Sequence, residues 1–277
     1  MIGIILTTIG TFFDEISLSI GKWEVLNNRE NLYTFGFLNY FWTLIIFIVI
    51  AIIKNKFVFD IASIPILIVL IVLQTLQIYS SLKGIILADR STSGFLMVIT
   101  IPLLLLVDMF LGYKIGIIEI VGISIIVISL ILLSLNHGLS KKGIGYVIFS
   151  SINAVATISI YKYCITHYNS VEAQQIITLS FLLIFLFIMS MWKFKQNPFL
   201  YLFKKEFLFQ SIFTGIGGVF ISISYVYAPA SIITGARRAF SVLWSIASGS
   251  KLFHERHILI KIFSSILIIT GLVFLIL

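Results

Sequence analysis

The sequence predicts an all-α, polytopic membrane protein of ten transmembrane helices, built as two inverted five-helix repeats. Three observations carry that expectation. Of 277 residues, 60% are hydrophobic and 11% charged, and the mean hydropathy is +1.13; soluble domains sit near ~45–50% apolar and ~25% charged. The apolar residues gather into runs of about 20, the length a helix needs to cross a hydrocarbon core of ~30 Å. The rhythm of runs and turns then repeats between the two halves. Such a composition excludes a water-soluble domain, a disordered chain and a nucleic-acid-binding protein. The net charge of +8 is spread thinly between long apolar runs, which fits membrane topology better than a polyanion partner.

Taken in order, the runs are bounded by charged residues or by Pro, Gly and Asn. The first, 2–21, has no basic start and no small-residue cleavage site, so it reads as a retained helix and not a signal peptide. Runs 32–53, 61–87, 92–111 and 115–135 complete the first half, and 144–165, 172–192, 207–226, 230–250 and 257–276 make the second. Stretches such as Ile117–Leu135 are apolar on every side, whereas barrel strands alternate. The longest connections, Lys22–Asn31 and Lys193–Glu206, are too short to fold alone. Any function therefore lies among the helices.

Self-similarity appears at the end of each half. Met109-Phe110-Leu111-Gly112-Tyr113-Lys114 leads into an apolar helix, and Lys251-Leu252-Phe253-His254-Glu255-Arg256 leads into another, 142 residues later. Lys22 and Lys162 close the first helix of each half at an offset of 140. Five spans is an odd number, so the second half enters from the opposite side. The expected halves are residues 1–137 and 138–277. Inverted repeats of this kind place a substrate site near the midplane between the halves.

These residues resemble the drug/metabolite transporter superfamily, EamA-type branch. The likeness rests on the ten-span rhythm, on Pro229, Arg237-Arg238, His254-Glu255-Arg256 and Gly271 in the second half, and on Pro102, Gly112-Tyr113-Lys114 and Gly122 in the first. Two departures are plain: Tyr113 stands where the family's first-half glutamate is expected, and His254 replaces the second-half glycine. The resemblance implies the ten-helix fold and secondary transport, with both termini in the cytoplasm.

Polar residues inside spans face protein or a hydrated cavity. Several share one helical face at i, i+3, i+4 spacing. They are Gln74, Gln77 and Ser81; Ser150, Asn153, Thr157 and Tyr161; Thr214, Gly218, Ser222 and Tyr225; and Ser231, Thr234, Arg238, Ser241, Ser245 and Ser248. Spans five and ten carry few donors, which predicts an inner set of helices around a cavity and an outer pair. For any single Ser, Thr or Gly, close helix packing is the better explanation, and four such stripes together are harder to explain that way.

Charges are more telling. Arg237 and Arg238 lie about two turns inside the ninth span, where an arginine costs ~2.5–3.5 kcal/mol on the lenient insertion scale. A guanidinium fork there suits a carboxylate or phosphate; snorkelling or a structural ion pair is the plainer alternative. Asp14 and Glu15 lie roughly 20 Å along the first span at 1.5 Å per residue. They are candidates for proton coupling or for pairing with an arginine of the ninth span. The expected substrate-binding set is Arg238, Arg237, Gln74, Gln77, Asn153, Thr157, Tyr225 and Ser241.

No Walker-type loop supports ATP-driven pumping, and no His-Glu-x-x-His supports a zinc protease. One cysteine, Cys164, and the isolated pair His254 and His257 offer no metal site, and no cofactor is expected. The sequence thus leads to a secondary transporter, not an enzyme, of a small metabolite that is anionic or amino-acid-like. Its expected partners are membrane lipids, the substrate, and protons or a counter-substrate. A bacterial plasma membrane is the expected location. A membrane-embedded enzyme acting on a lipid-linked substrate and a non-transporting partner subunit are the rivals. Connections after odd-numbered spans hold Lys22, Arg29, Arg90, Lys141, Lys142, Lys193, Lys195, Lys204, Lys205, Lys251 and Arg256, against Lys54, Lys56 and Lys114 on the other side. Cytoplasmic loops carry excess Lys and Arg, so this bias puts both termini outside, opposite to the orientation that the resemblance implies.

Overall fold

A computed structural model describes residues 2–55, 57–110, 116–135, 141–228, 230–254 and 258–276. Pro229, the Gly112-Tyr113-Lys114 turn, Glu255, Arg256 and His257 lie outside the described residues. Eleven α-helices and no strand are found among those described. They are α1 (Ile2–Leu26), α2 (Leu32–Lys54), α3 (Ile64–Leu87), α4 (Arg90–Met97), α5 (Thr100–Phe110), α6 (Ile117–Leu135), α7 (Ile144–His167), α8 (Val171–Phe194), α9 (Lys205–Ser224), α10 (Ala230–Phe253) and α11 (Ile258–Ile276).

Seven segments among the described residues are long and apolar enough to cross a membrane: α1, α2, α3 with its leading turn, α4 running into α5, α7, α8 and most of α9. The outer surface is correspondingly apolar: Ile53, Ile117 and Leu259 are each more than three-quarters exposed. Water does not tolerate a continuous shell of this kind, and the chain is an integral membrane protein. Helix α10 has the length but less hydropathy, because Arg237, Arg238, Lys251 and a row of Ser and Gly interrupt it.

The run expected at 92–111 is broken in two. Helix α4 ends at Met97, and α5 starts at Thr100 with Pro102 in its first turn, where proline's fixed φ and missing N–H are tolerated. The first helix extends to Leu26, past the expected end at residue 21.

Side-chain caps and local bonds tie the ends together. Asn31 caps α2 by accepting from the N–H groups of Tyr33 (2.8 Å) and Thr34 (2.9 Å), which satisfies donors that a helix start leaves open. Its amide also donates to Ser190 near the end of α8 (3.1 Å). At the other end of the bundle, Lys54 pairs with Glu172 at 3.1 Å, and Lys162 donates to the carbonyls of Tyr225 (2.6 Å) and Ala228 (3.3 Å). Lys162 thus holds the end of α9 and does not run free to a headgroup.

Two helix crossings need glycine. A Cβ on Gly217 of α9 would lie 2.7 Å from the Gly10 carbonyl and 3.1 Å from the Asp14 nitrogen on α1. A Cβ on Gly271 of α11 would lie 2.7 Å from the Gly122 carbonyl on α6. Small residues let membrane helices approach this closely. Gly122 and Gly271 therefore meet each other. Apolar packing is divided: Phe35, Leu38, Ile78, Leu82 and Leu186 join α2, α3 and α8, whereas Phe95, Ile126, Val242 and Ile268 join α4, α6, α10 and α11. Between these two cores lies a polar cavity.

Candidate functional site

The cavity has a volume of about 260 Å³. Its walls come from α1, α2, α3, α4, α7, α8, α9 and α10; none of the described lining residues belongs to α5, α6 or α11. The inner set and outer pair expected from the polar stripes are thus arranged as expected for α6 and α11.

Helix α1 presents Thr11, Asp14, Glu15 and Leu18, the i, i+3, i+4, i+7 pattern of one helical face. Its two neighbouring carboxylates have different surroundings. Glu15 is 5% exposed and receives a two-point contact from Arg90 of α4: Nε to Oε1 at 3.1 Å and Nη2 to Oε2 at 2.6 Å. Ser248 of α10 donates to Oε1 at 2.7 Å and Ser19 at 3.2 Å. A buried carboxylate is tolerated when its lone pairs are filled in this way. Asp14 has one contact, from Arg237 Nη2 at 3.2 Å, and both side chains keep part of their surface open.

Arg238 stands apart. It is 7% exposed. Its Nε donates to the Thr100 hydroxyl at 3.2 Å and its Nη1 to the Met97 sulfur at 3.2 Å. The salt bridges among the described residues do not include it. A thioether is a weak acceptor, so the Arg238 charge is desolvated and has no anionic partner among the described residues. Three guanidinium groups (Arg90, Arg237, Arg238) face two carboxylates (Asp14, Glu15) among the described lining residues.

Neutral polar groups make up the rest. Gln74, Gln77, Thr157 and Ser241 line the cavity as their helical faces predict. Gln77 is engaged by its neighbours: it donates to Ser150 at 2.7 Å and accepts from Asn153 at 2.9 Å. Asn153 lies outside the lining and also donates to the Leu73 carbonyl at 2.9 Å. Its place is the α3–α7 interface, not the cavity wall. Tyr225 likewise lies outside the lining, packed edge-on to Tyr161, with its hydroxyl 2.9 Å from that of Thr234. For these two residues the stripe pointed at a helix–helix contact, because the polar face of a helix serves packing and cavity alike.

Sequence reasoning did not single out Arg90, Ser93, Gly94 and Met97 of α4, Asn39, Tyr40 and Thr43 of α2, or Gln175 and Thr178 of α8, all of which line the cavity. Arg90 read as a loop cation because it follows Asp89 at a span boundary. The signal was present: Arg90, Ser93, Gly94 and Met97 follow i, i+3, i+4, i+7 spacing. Lys22, also counted in a loop, is buried and donates to the Ala88 carbonyl. Among the described residues no group of His, Cys, Asp and Glu is placed to hold a metal ion.

Neither a family model nor a curated protein matches this chain. The cavity chemistry therefore carries the functional reading.

Proposed function

We propose that this protein is a secondary transporter, not an enzyme, that moves a small anionic metabolite across its membrane by alternating access at the central cavity. The observation that carries the reading is Arg238: a buried guanidinium on the cavity wall, without an anionic partner among the described residues, on a helix otherwise lined with Ser and Gly. An unpaired charge in a membrane interior is costly, and a transported anion offsets that cost each time it binds.

The architecture in this reading is ten spans in two oppositely inserted halves, 1–137 and 138–277, of the EamA type. Helix pairing supports it. Helix α1 packs along α9 as α7 packs along α3; α1 meets α10 as α7 meets α4 and α5; and α6 pairs with α11. Exchanging the two halves maps each of these contacts onto its counterpart, as a pseudo-two-fold axis in the membrane plane requires. Asp14 is the proton-linked carboxyl in this scheme, because its single contact leaves it free to exchange partners. Glu15 is held too firmly by Arg90 for that role.

Reconstitution in proteoliposomes tests the reading. Uptake of labelled organic anions, with and without an imposed pH gradient, should be saturable for the unaltered protein. Arg238→Ala should abolish it at equal incorporation into the bilayer. Undiminished uptake by that variant removes Arg238 from the site and the reading with it.

A further inference from the structure

The charge balance and the lining chemistry narrow the substrate class; this step rests on the transporter reading above. We infer that the cavity takes a short polyhydroxylated monocarboxylate, an aldonic- or glyceric-acid type of molecule, and neither an α-amino acid nor a phosphate ester.

The carboxylate end follows from Arg238. Its Nε and one Nη1 hydrogen are directed at Thr100 and Met97. The Nη2 group and the second Nη1 hydrogen meet no acceptor among the described residues, and the side chain lines the cavity. Planar, parallel donors of this kind match a carboxylate.

The single charge follows from the surroundings. Among the described lining residues, three guanidinium groups against two ionised carboxylates leave one positive charge to neutralise. A phosphate dianion would overshoot and leave a net negative charge in a low-dielectric site, which is as costly as the positive one it replaces. An α-amino acid has the converse difficulty. A desolvated ammonium needs an anionic partner and not a neutral amide alone, yet Glu15 is filled by Arg90, Ser19 and Ser248 and Asp14 is paired with Arg237. Seating an ammonium on Asp14 would release Arg237 and leave a second guanidinium without its carboxylate.

The hydroxyls follow from the remaining wall. Gln74, Asn39 and Gln175 present carboxamides, Thr157 and Ser222 present hydroxyl oxygens whose protons go to the carbonyls of Ala154 and Gly218, and Tyr40 is the one aromatic residue among the described lining residues. Drug-binding pockets are lined mainly by apolar and aromatic side chains; this wall sets donor and acceptor groups of the kind that hydroxyls satisfy among aliphatic side chains such as Leu18, Ile78 and Ile221. A cavity of about 260 Å³ suits a chain of a few hydroxylated carbons.

The experiment uses the full chain in lipid nanodiscs and in proteoliposomes. The probes are D-glycerate and D-gluconate, with D-glucose (hydroxyls without charge), butyrate (charge without hydroxyls), L-glutamine (zwitterion) and 6-phosphogluconate (extra charge) as the contrasts. Glycerate or gluconate should raise the thermal midpoint and bind at least tenfold more tightly than any contrast. Arg238→Ala should lose that preference, and Arg238→Lys, which keeps the charge and loses the fork, should weaken it about tenfold. If both variants fail to fold, the contrast panel on the unaltered protein still decides. Preference for glutamine or 6-phosphogluconate overturns the class and leaves the transporter reading in place. Equal response to gluconate and glucose also overturns it. Tight gluconate binding without any movement across the bilayer supports the class and overturns the transporter reading.

Discussion

Asp14 and Glu15 are adjacent in sequence, share a helix and face the same cavity, yet the protein treats them oppositely. Glu15 is closed in by Arg90, Ser19 and Ser248, which draws α1, α4 and α10 together. Among the described residues, Asp14 has one longer contact, to Arg237, and the neighbouring Arg238 has no carboxylate. The difference separates a strut from a working group. A fully satisfied buried pair contributes by being expensive to break, whereas a half-satisfied one is able to change partners.

The largest expected effect is on the strut. Arg90→Ala leaves Glu15 buried without its guanidinium, and loss of one partner of such a pair costs about 3–5 kcal/mol. Thermal unfolding in detergent should show a much lower midpoint, with the Glu15→Ala, Arg90→Ala double variant recovering part of the loss. Equal losses in Arg90→Ala and Arg237→Ala would erase the contrast between the two pairs.

A smaller loss is expected where α1 is positioned. Gly217→Val forces a Cβ against the Gly10 carbonyl and the Asp14 nitrogen, and overpacking of this kind costs about 1–3 kcal/mol. Both carboxylates ride on the displaced segment, so transport should fall along with the thermal midpoint. A variant of normal stability and normal uptake would show that the crossing is looser than the structure has it.

Asp14→Asn should change function and spare the fold. Its stability should stay within about 1 kcal/mol of the unaltered protein, as for a partly exposed pair. The stimulation of uptake by a pH gradient should disappear. If the gradient still drives uptake, the coupling role belongs elsewhere.

The smallest effect concerns a third carboxyl, outside the spans. Glu30, in the α1–α2 connection, is buried, and its pKa is raised well above the ordinary 4.5, chiefly by burial; Gln210 opposes the rise and the Glu24 charge adds to it. The folded chain therefore binds this proton more tightly than the unfolded chain. Stability from this group is complete below about pH 4.5 and falls as pH rises toward the folded value. Glu30→Gln should flatten that fall and slightly raise the midpoint at neutral pH. A thermal midpoint that falls with pH equally in both proteins would place the dependence on another group.

Much of this arrangement was readable from residue spacing. Gln74, Gln77, Thr157, Arg238 and Ser241 fall on helical faces that meet at the cavity, because membrane helices have few reasons to carry such groups toward lipid. Arg90 escaped notice for a physical reason: at a helix start, a cation that solvates in a loop and one that turns inward have the same sequence context. Asn153 and Tyr225 show the reverse limit, since polar side chains that join two helices have the same periodicity as those that line a cavity. The break between α4 and α5 was hidden because an apolar run reads the same through a short turn, although Pro102 marks the place where a new helix starts.

Orientation gains a structural qualification. Lys22 and Arg90 are buried and bonded within the protein, so they contribute less to topology than loop cations do. The remaining bias of Arg29, Lys193, Lys195, Lys204 and Lys205 toward one end still favours that end as cytoplasmic. A reporter active on one side only, fused at the C-terminus, reads this directly.

The account rests on a hydrated chamber enclosed by apolar helices. Its most direct test is chemical access. Cys164 is fully buried and is first replaced by alanine; cysteines are then placed singly at Gln74 and Thr157. Each should react with a membrane-impermeant, water-soluble thiol reagent in intact vesicles of the open orientation, and gluconate should slow the reaction. Cysteines at both positions that stay unreactive from either side of the membrane would contradict a water-filled chamber and with it the transporter assignment.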